Sequence, residues 1–165
     1  MKILYAPWRE KYISAGTKRT DANNLESCPF CIQLAEHKDN DHFIIKRYKR
    51  VFLCMNKYPY NEGHLLVLPF EHQADISSLS PETAQELMTV TQEAIAALKK
   101  ICNPVAFNIG MNMGKESGGS IPNHLHLHIL PRFTGDTNFL SVLAQTKLIS
   151  VDILPIYEQL KAILK

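Results

Sequence analysis

"PNHLHLHILPR", residues 122–132, alternates histidine with an aliphatic residue through His124, Leu125, His126, Leu127, His128 and Ile129. Strict alternation is the pattern of a half-buried β-strand, in which residues i, i+2 and i+4 share one face. All three imidazoles therefore point the same way. At a rise of ~3.3 Å per residue the Cα atoms of His124 and His128 stand roughly 13 Å apart, whereas Zn–N bonds are about 2.0–2.1 Å, so one metal ion cannot take all three. A merely exposed polar face would more naturally mix Thr, Lys and Glu. What remains is a catalytic strand, in which a neutral imidazole attacks as a nucleophile and its neighbours position charged groups. A metal role for one or two of the three stays open beside it.

The flanking sequence supplies the rest of a sheet. "HFIIKRYKRVFLCMN" (42–56) reads as two strands with a tight turn near Lys49, "GHLLVLPF" (63–70) as a largely buried third, and "AFNIGMNMG" (106–114) as a further strand. Ser80, Pro81 and Glu82 give an N-cap, a first-turn proline and an early acidic residue, and Leu87, Val90, Ala94, Ile95 and Leu98 then keep a 3.6 period to about Ile101. "PFCIQLAEHK" (29–38) suggests a short helix, and "SVDILPIYEQLKAILK" (150–165) a terminal one, interrupted near Pro155. Helices and strands in this order, with hairpin-length links, predict an α+β domain on an antiparallel sheet of about five strands with two main helices. We expect an N-terminal arm over 1–27, the domain proper over 28–140 and a C-terminal extension with a helix over 141–165, a single domain overall.

Composition limits the function classes. A chain of 165 residues, 45% hydrophobic and 21% charged, has the make-up of one globular domain with a sizeable core. No apolar run approaches the roughly 20 residues of a membrane span, and "MKILYAPWREKYI" is charged too early for a secretory leader, so a cytoplasmic protein away from membranes is expected. A net charge of +2 gives no surface for a nucleic-acid polymer, and "KRYKR" (46–50) reads as a solvated strand edge before it reads as a phosphate tract. Four cysteines do not make a disulfide scaffold. Cys54 and Cys102 read as core. Cys28 and Cys31 in "CPFC" fit half a zinc site, a redox pair or an unmetallated thiol pair, and the polar, non-periodic lead-in "TDANNLES" argues against the redox reading.

"HLHLHIL" resembles the H-φ-H-φ-H-φ-φ signature of the histidine triad family, whose members act on nucleotide phosphates through a covalent nucleotidyl-histidine. "NKYPYNEGHLLVLP" (56–69) is similar to that family's N-x-x-P-x-x-x-G-H-x-L-V-x-P strand, and "GMNMGKESGGS" (110–120) to its phosphate-contacting loop. "APWREKYI" (6–13), "CPFC" and "PRFTGDTNFLSVLAQTKLI" (131–149) resemble one branch of it, the bacterial diadenosine tetraphosphate phosphorylases, also called ATP adenylyltransferases.

The resemblance implies a sheet extended across a homodimer and a set of roles. His126 would be the nucleophile, its Nδ1–H held by a backbone carbonyl. His128 and His64 would contact phosphoryl oxygens. Asn112, Gly119 and Ser120 would surround the phosphate, with Asn56 at the ribose and Phe52 near the adenine unless it simply packs in the core. Gly118 and Gly119 admit a phosphate to the backbone, or else only make a flexible turn. The resemblance also implies that His72 and His124 complete a structural Zn2+ site with Cys28 and Cys31; Mg2+ accompanying the substrate stays open. "GGS" where many triad hydrolases carry Gln implies phosphorolysis, with inorganic phosphate as second substrate. The alternatives are a dinucleoside polyphosphate hydrolase, a nucleoside phosphoramidase, a non-catalytic nucleotide-binding protein and a zinc-stapled interaction protein. His37 and His42 match no motif and read as surface.

Overall fold

Five strands pair antiparallel into one sheet of order β1-β2-β3-β5-β4: β1 is Ile44–Arg47, β2 Val51–Met55, β3 Leu65–Pro69, β4 Ala106–Met111 and β5 Leu127–Arg132. Among the described residues three α-helices accompany them: α1 Pro29–Glu36, α2 Pro81–Ile101 and α3 Ile153–Ile163. The computed structural model describes residues 25–138 and 152–165, together with residues 143, 147 and 149. Most of the expected arm, with "APWREKYI", and most of the stretch 139–151 lie outside the described residues.

Side-chain parity divides the sheet into two faces. Val51, Leu53 and Met55 of β2, Leu65 and Val67 of β3, and Leu127 and Ile129 of β5 point to one face, where Leu87, Val90, Ala94 and Leu98 of α2 cover them. Phe52, Cys54, Leu66 and Leu68 point to the other, where Phe30 of α1 packs. Strands covered on both faces read as continuous apolar runs, which is why β2 and β3 are buried at every position. β4 is an edge strand, exposed along most of its length.

The caps anticipated for the long helix are present. Ser80 Oγ accepts a hydrogen bond from Thr83 N at 3.1 Å, Pro81 stands in the first turn, and Lys99 and Lys100 close the last turn. α3 runs through Pro155 without the expected interruption, because that proline falls in the first turn, where backbone N–H groups have no intrahelical acceptor to lose. The histidine run differs in one respect. The ladder of β5 begins at Leu127, and His124 to His126 precede it outside the strand, held where Leu125 N donates to Gln73 O.

Candidate active site and metal centre

The α1 side of the sheet carries a cavity of about 300 Å³, lined by Phe30 and Gln33 of α1, Cys54 to Tyr58 at the end of β2, Asn112 and Gly119 to Ile121 from the loop after β4, and His126 and His128. Gly119 fits because of its size. A Cβ there would stand 3.0 Å from the Asn112 Cβ, so the loop closes on Asn112 only with glycine at that position.

Hydrogen bonds fix the histidine tautomers. His126 Nδ1 lies 2.7 Å from the His124 carbonyl, which can only accept. The proton therefore sits on Nδ1, and Nε2 carries a lone pair. Tyr60 N–H donates to His64 Nδ1 at 3.0 Å, so His64 is protonated on Nε2, which donates to His128 Nδ1 at 2.9 Å. His128 must then be protonated on Nε2, a buried atom with no hydrogen-bond partner. The rings of His126 and His128, both of which line the cavity, stand 4.8 Å apart, one with a lone pair on Nε2 and the other with a buried, unpartnered Nε2–H. Burial keeps these rings neutral. It lowers the pKa of His126, and with the neighbouring imidazoles it lowers His64 to about 3 and His128 to about 4.

A second cluster adjoins the first. Cys28, Cys31, His72 and His124 bring their ligand atoms within 4.8 Å of one another. Cys28 Sγ lies 3.4 Å from His124 Nδ1, and Cys31 Sγ lies 3.4 Å from His72 Nδ1 and 3.5 Å from His124 Nδ1. His124 donates Nε2–H to the Pro69 carbonyl at 3.0 Å, which leaves a lone pair on Nδ1 facing the thiols. A tetrahedral ion with bonds of about 2.3 Å to sulfur and 2.0–2.1 Å to nitrogen needs N···S edges of about 3.5 Å, so these residues fit such an ion. Burial and the adjacent Cys28 push the Cys31 thiol up to about 12, a balance that a bound cation would reverse.

The structure thus brings His126, His128, Asn56, Asn112, Gly119 and Ser120 to one cavity and the Cys2His2 set to another point. His64 is a correction: expected at the phosphoryl oxygens, it is fully buried and does not line the cavity, and it reaches the site only through its hydrogen bond to His128. Asn56 Nδ2 lies 3.3 Å from His64 Nδ1, and its Oδ1 accepts from Tyr58 N at 2.9 Å. Phe52 is a correction. It is fully buried, stacks on Phe70 with centroids 5.8 Å apart and does not line the cavity, so core packing is its role. The aromatic ring on the wall is instead that of Phe30, which packs against the rings of both His124 and His126 and which no sequence motif marks. His42, read as surface, also lines the cavity, with Nε2 2.7 Å from Glu36 Oε2.

The HIT domain family model matches residues 37–135. The chain is 36% identical over 151 residues to an AP-4-A phosphorylase of Mycobacterium tuberculosis, covering 90% of this chain and 77% of the relative. It is 32% identical over 93 residues to an asymmetrical bis(5'-nucleosyl)-tetraphosphatase of Schizosaccharomyces pombe, covering 56% of this chain and 50% of the relative. Among solved structures, a zinc-bound histidine triad family protein of Mycobacterium smegmatis superposes with a TM-score of 0.69 at 26% identity, covering 86% of this chain and 95% of the other.

Proposed function

The chain belongs to the HIT domain family, as an enzyme of it, and we propose that its reaction is nucleotidyl transfer on dinucleoside polyphosphates, with phosphorolysis of diadenosine tetraphosphate to ATP and ADP as the specific case. The observation that carries this reading is the pair of opposite tautomers at His126 and His128.

His126 Nε2 attacks the α-phosphorus of the bound substrate. A P–N bond forms as the bond to the bridging oxygen breaks, and the electron pair leaves with ATP. The new cationic ring is stabilised through Nδ1–H to the His124 carbonyl. His128 donates Nε2–H to phosphoryl oxygens as charge spreads over them, and the backbone at Gly119 and Ser120 with the Asn112 amide surrounds the same charge. His64 holds His128 in its donor tautomer, and Asn56 takes the ribose. An oxygen of inorganic phosphate then attacks the adenylyl phosphorus, the P–N bond breaks, its electron pair returns to Nε2, and ADP leaves.

Three partners belong to the same reading. No carboxylate lines the cavity among the described residues and its one fixed cation is Lys57, so Mg2+ travels with the polyphosphate instead of being held by the protein. The Cys2His2 set binds zinc, which supplies no reactive group and only fixes the backbone around His124. The open edge of β4, with Ile109 and the flanking Val105 and Met113 exposed, is the face for a second copy of the chain.

The similarity to the tetraphosphatase supports water as the competing acceptor. Incubation of the enzyme with diadenosine tetraphosphate, with and without phosphate, separates the two. Phosphorolysis gives ATP and ADP only when phosphate is present; AMP and ATP formed at one rate in both, with no ADP, refutes it.

A further inference from the structure

The block after β5 takes no part in the chemistry above, yet it holds a heavily bonded carboxylate. The Asp136 side chain is only 6% exposed. Its Oδ2 accepts from Arg132 Nε at 2.6 Å, Asn61 Nδ2 at 2.8 Å and Phe133 N at 3.3 Å, and its Oδ1 accepts from the Arg132 guanidinium at 2.9 Å. The other guanidinium nitrogen donates to Asn108 Oδ1 on β4 at 2.9 Å. Asn61 is itself buried, and Nδ2 donates a second time, to Pro131 O at 2.8 Å. Both amide hydrogens are therefore committed to β5 and the turn beyond it.

Asn61 lies in the turn that leads into His64. Its carbonyl accepts from His64 N at 3.3 Å, and the preceding residue, Tyr60, provides the N–H that sets the His64 tautomer. The Tyr60 ring lies over both imidazoles, with centroids 4.8 Å from His64 and 5.9 Å from His128. Gly63, at φ 68°, brings the turn so close that a Cβ would meet Leu98 at 2.9 Å and Pro131 at 3.3 Å.

We infer that Asn61, Asp136 and Arg132 form a clamp that holds the Tyr60–His64 turn on β5 and thereby fixes His128 as an Nε2–H donor, an inference that rests on the role proposed above for His128. The logic is one of proton placement. If the turn drifts from Pro131 and Asp136, His64 Nδ1 loses the Tyr60 N–H at 3.0 Å and keeps only the longer 3.3 Å contact from Asn56 Nδ2. His64 can then carry its proton on Nδ1 and offer a lone pair from Nε2, which His128 satisfies by donating from its own Nδ1. That leaves a bare lone pair on His128 Nε2, facing anionic phosphate oxygens. Asn61 and Asp136 touch no substrate and are positioning residues.

The test measures imidazole 15N shifts of the substrate-free protein, and kcat and KM for diadenosine tetraphosphate with phosphate, in the parent, Asn61→Ala and Asp136→Asn. The parent should show His128 protonated on Nε2, and an Nδ1–H tautomer there overturns the inference outright. Both variants should mix the His128 tautomers and lose at least ten-fold in kcat with KM within three-fold. A folded variant with the parent's tautomer, or with kcat within two-fold, also overturns it. If either replacement unfolds the chain, Asn61→Gln, which keeps the amide but displaces it by one methylene, is judged by the same criteria. A parent inert on dinucleoside polyphosphates would refute the proposed reaction alone, since the tautomers are read without substrate.

Discussion

Two clusters of buried imidazoles sit next to each other in this molecule, sharing Phe30 as a packing partner and a single residue, His124, as their boundary. In the cluster with Cys28 and Cys31, His124 gives its Nε2 proton to a carbonyl and turns the Nδ1 lone pair to the thiols. In the cluster with His64, the arrangement is reversed at His126, where Nδ1 is engaged and Nε2 is free. The ring chemistry is the same throughout. What turns one imidazole's lone pair toward the thiols and leaves the next one's Nε2 free is the acceptor on its other nitrogen.

The sharpest way to break this comparison is to delete one histidine from each cluster. His126→Asn should lower turnover by a factor on the order of 10⁴ or more while zinc content stays that of the parent, because the substitution removes the attacking Nε2 lone pair and leaves the Cys2His2 set untouched. Steady-state assays and elemental analysis on one preparation check both halves; residual turnover near the parent's would remove His126 from the nucleophile role. The reciprocal variant, Cys31→Ser, should lose the metal and lower kcat by about 10–100-fold, as outer-shell disruptions do, without abolishing reaction. Exhaustive chelation of the parent should have the same effect and reverse on adding zinc; a parent purified without chelator and free of zinc defeats the assignment.

Acid tests the burial that both readings need. His64 and His128 are held near 3 and 4 in the folded chain against an ordinary 6.5, with burial the main cause, so between about pH 6.5 and pH 4 the unfolded state binds more protons than the folded one. Their stabilising contribution is complete above pH 6.5 and falls as the pH drops, by up to about 1.4 kcal/mol per pH unit for each histidine. Urea midpoints at pH 7 and pH 5 check this, and equal midpoints would mean that the rings are not desolvated. The smallest effect belongs to a residue outside both clusters. Ile109→Lys on β4 should convert a dimer to a monomer in light scattering with activity within about two-fold, since one charge on an open edge opposes strand pairing and touches neither cluster.

Much of this was legible in the chain. The parity of "HLHLHI" and the Ser80-Pro81 cap gave the strand and the helix, and "CPFC" gave half of the Cys2His2 set; His72, His124 as a ligand and the separate roles within the histidine run came only from the resemblance to the histidine triad family. The misses have physical causes. Parity says which face a side chain takes, and Phe52 does share the face of Cys54, but parity does not say how far along the strand the cavity extends; Phe52 lies beyond it, beneath Phe70. Pro155 looked like a break because a helix start cannot be located until its cap, Asp152, is known. Asn61 and Asp136 are 75 residues apart and acquire meaning only when the turn before β3 meets the end of β5.

The two-faced sheet has a consequence for folding errors. Leu127 and Ile129 alternate with His126 and His128, so a slip of β5 by one residue against β3 and β4 would not produce a slightly altered site. It would drive imidazoles into the aliphatic layer under α2 and turn leucine and isoleucine to the face that carries the cavity. Each imidazole buried there without a hydrogen-bond partner would destabilise the slipped form by about 1–3 kcal/mol, before the lost aliphatic packing is counted. The alternation that supplies the reactive nitrogens therefore also guards the register that aims them, and a chain that pairs wrongly at β5 is rejected by its own core.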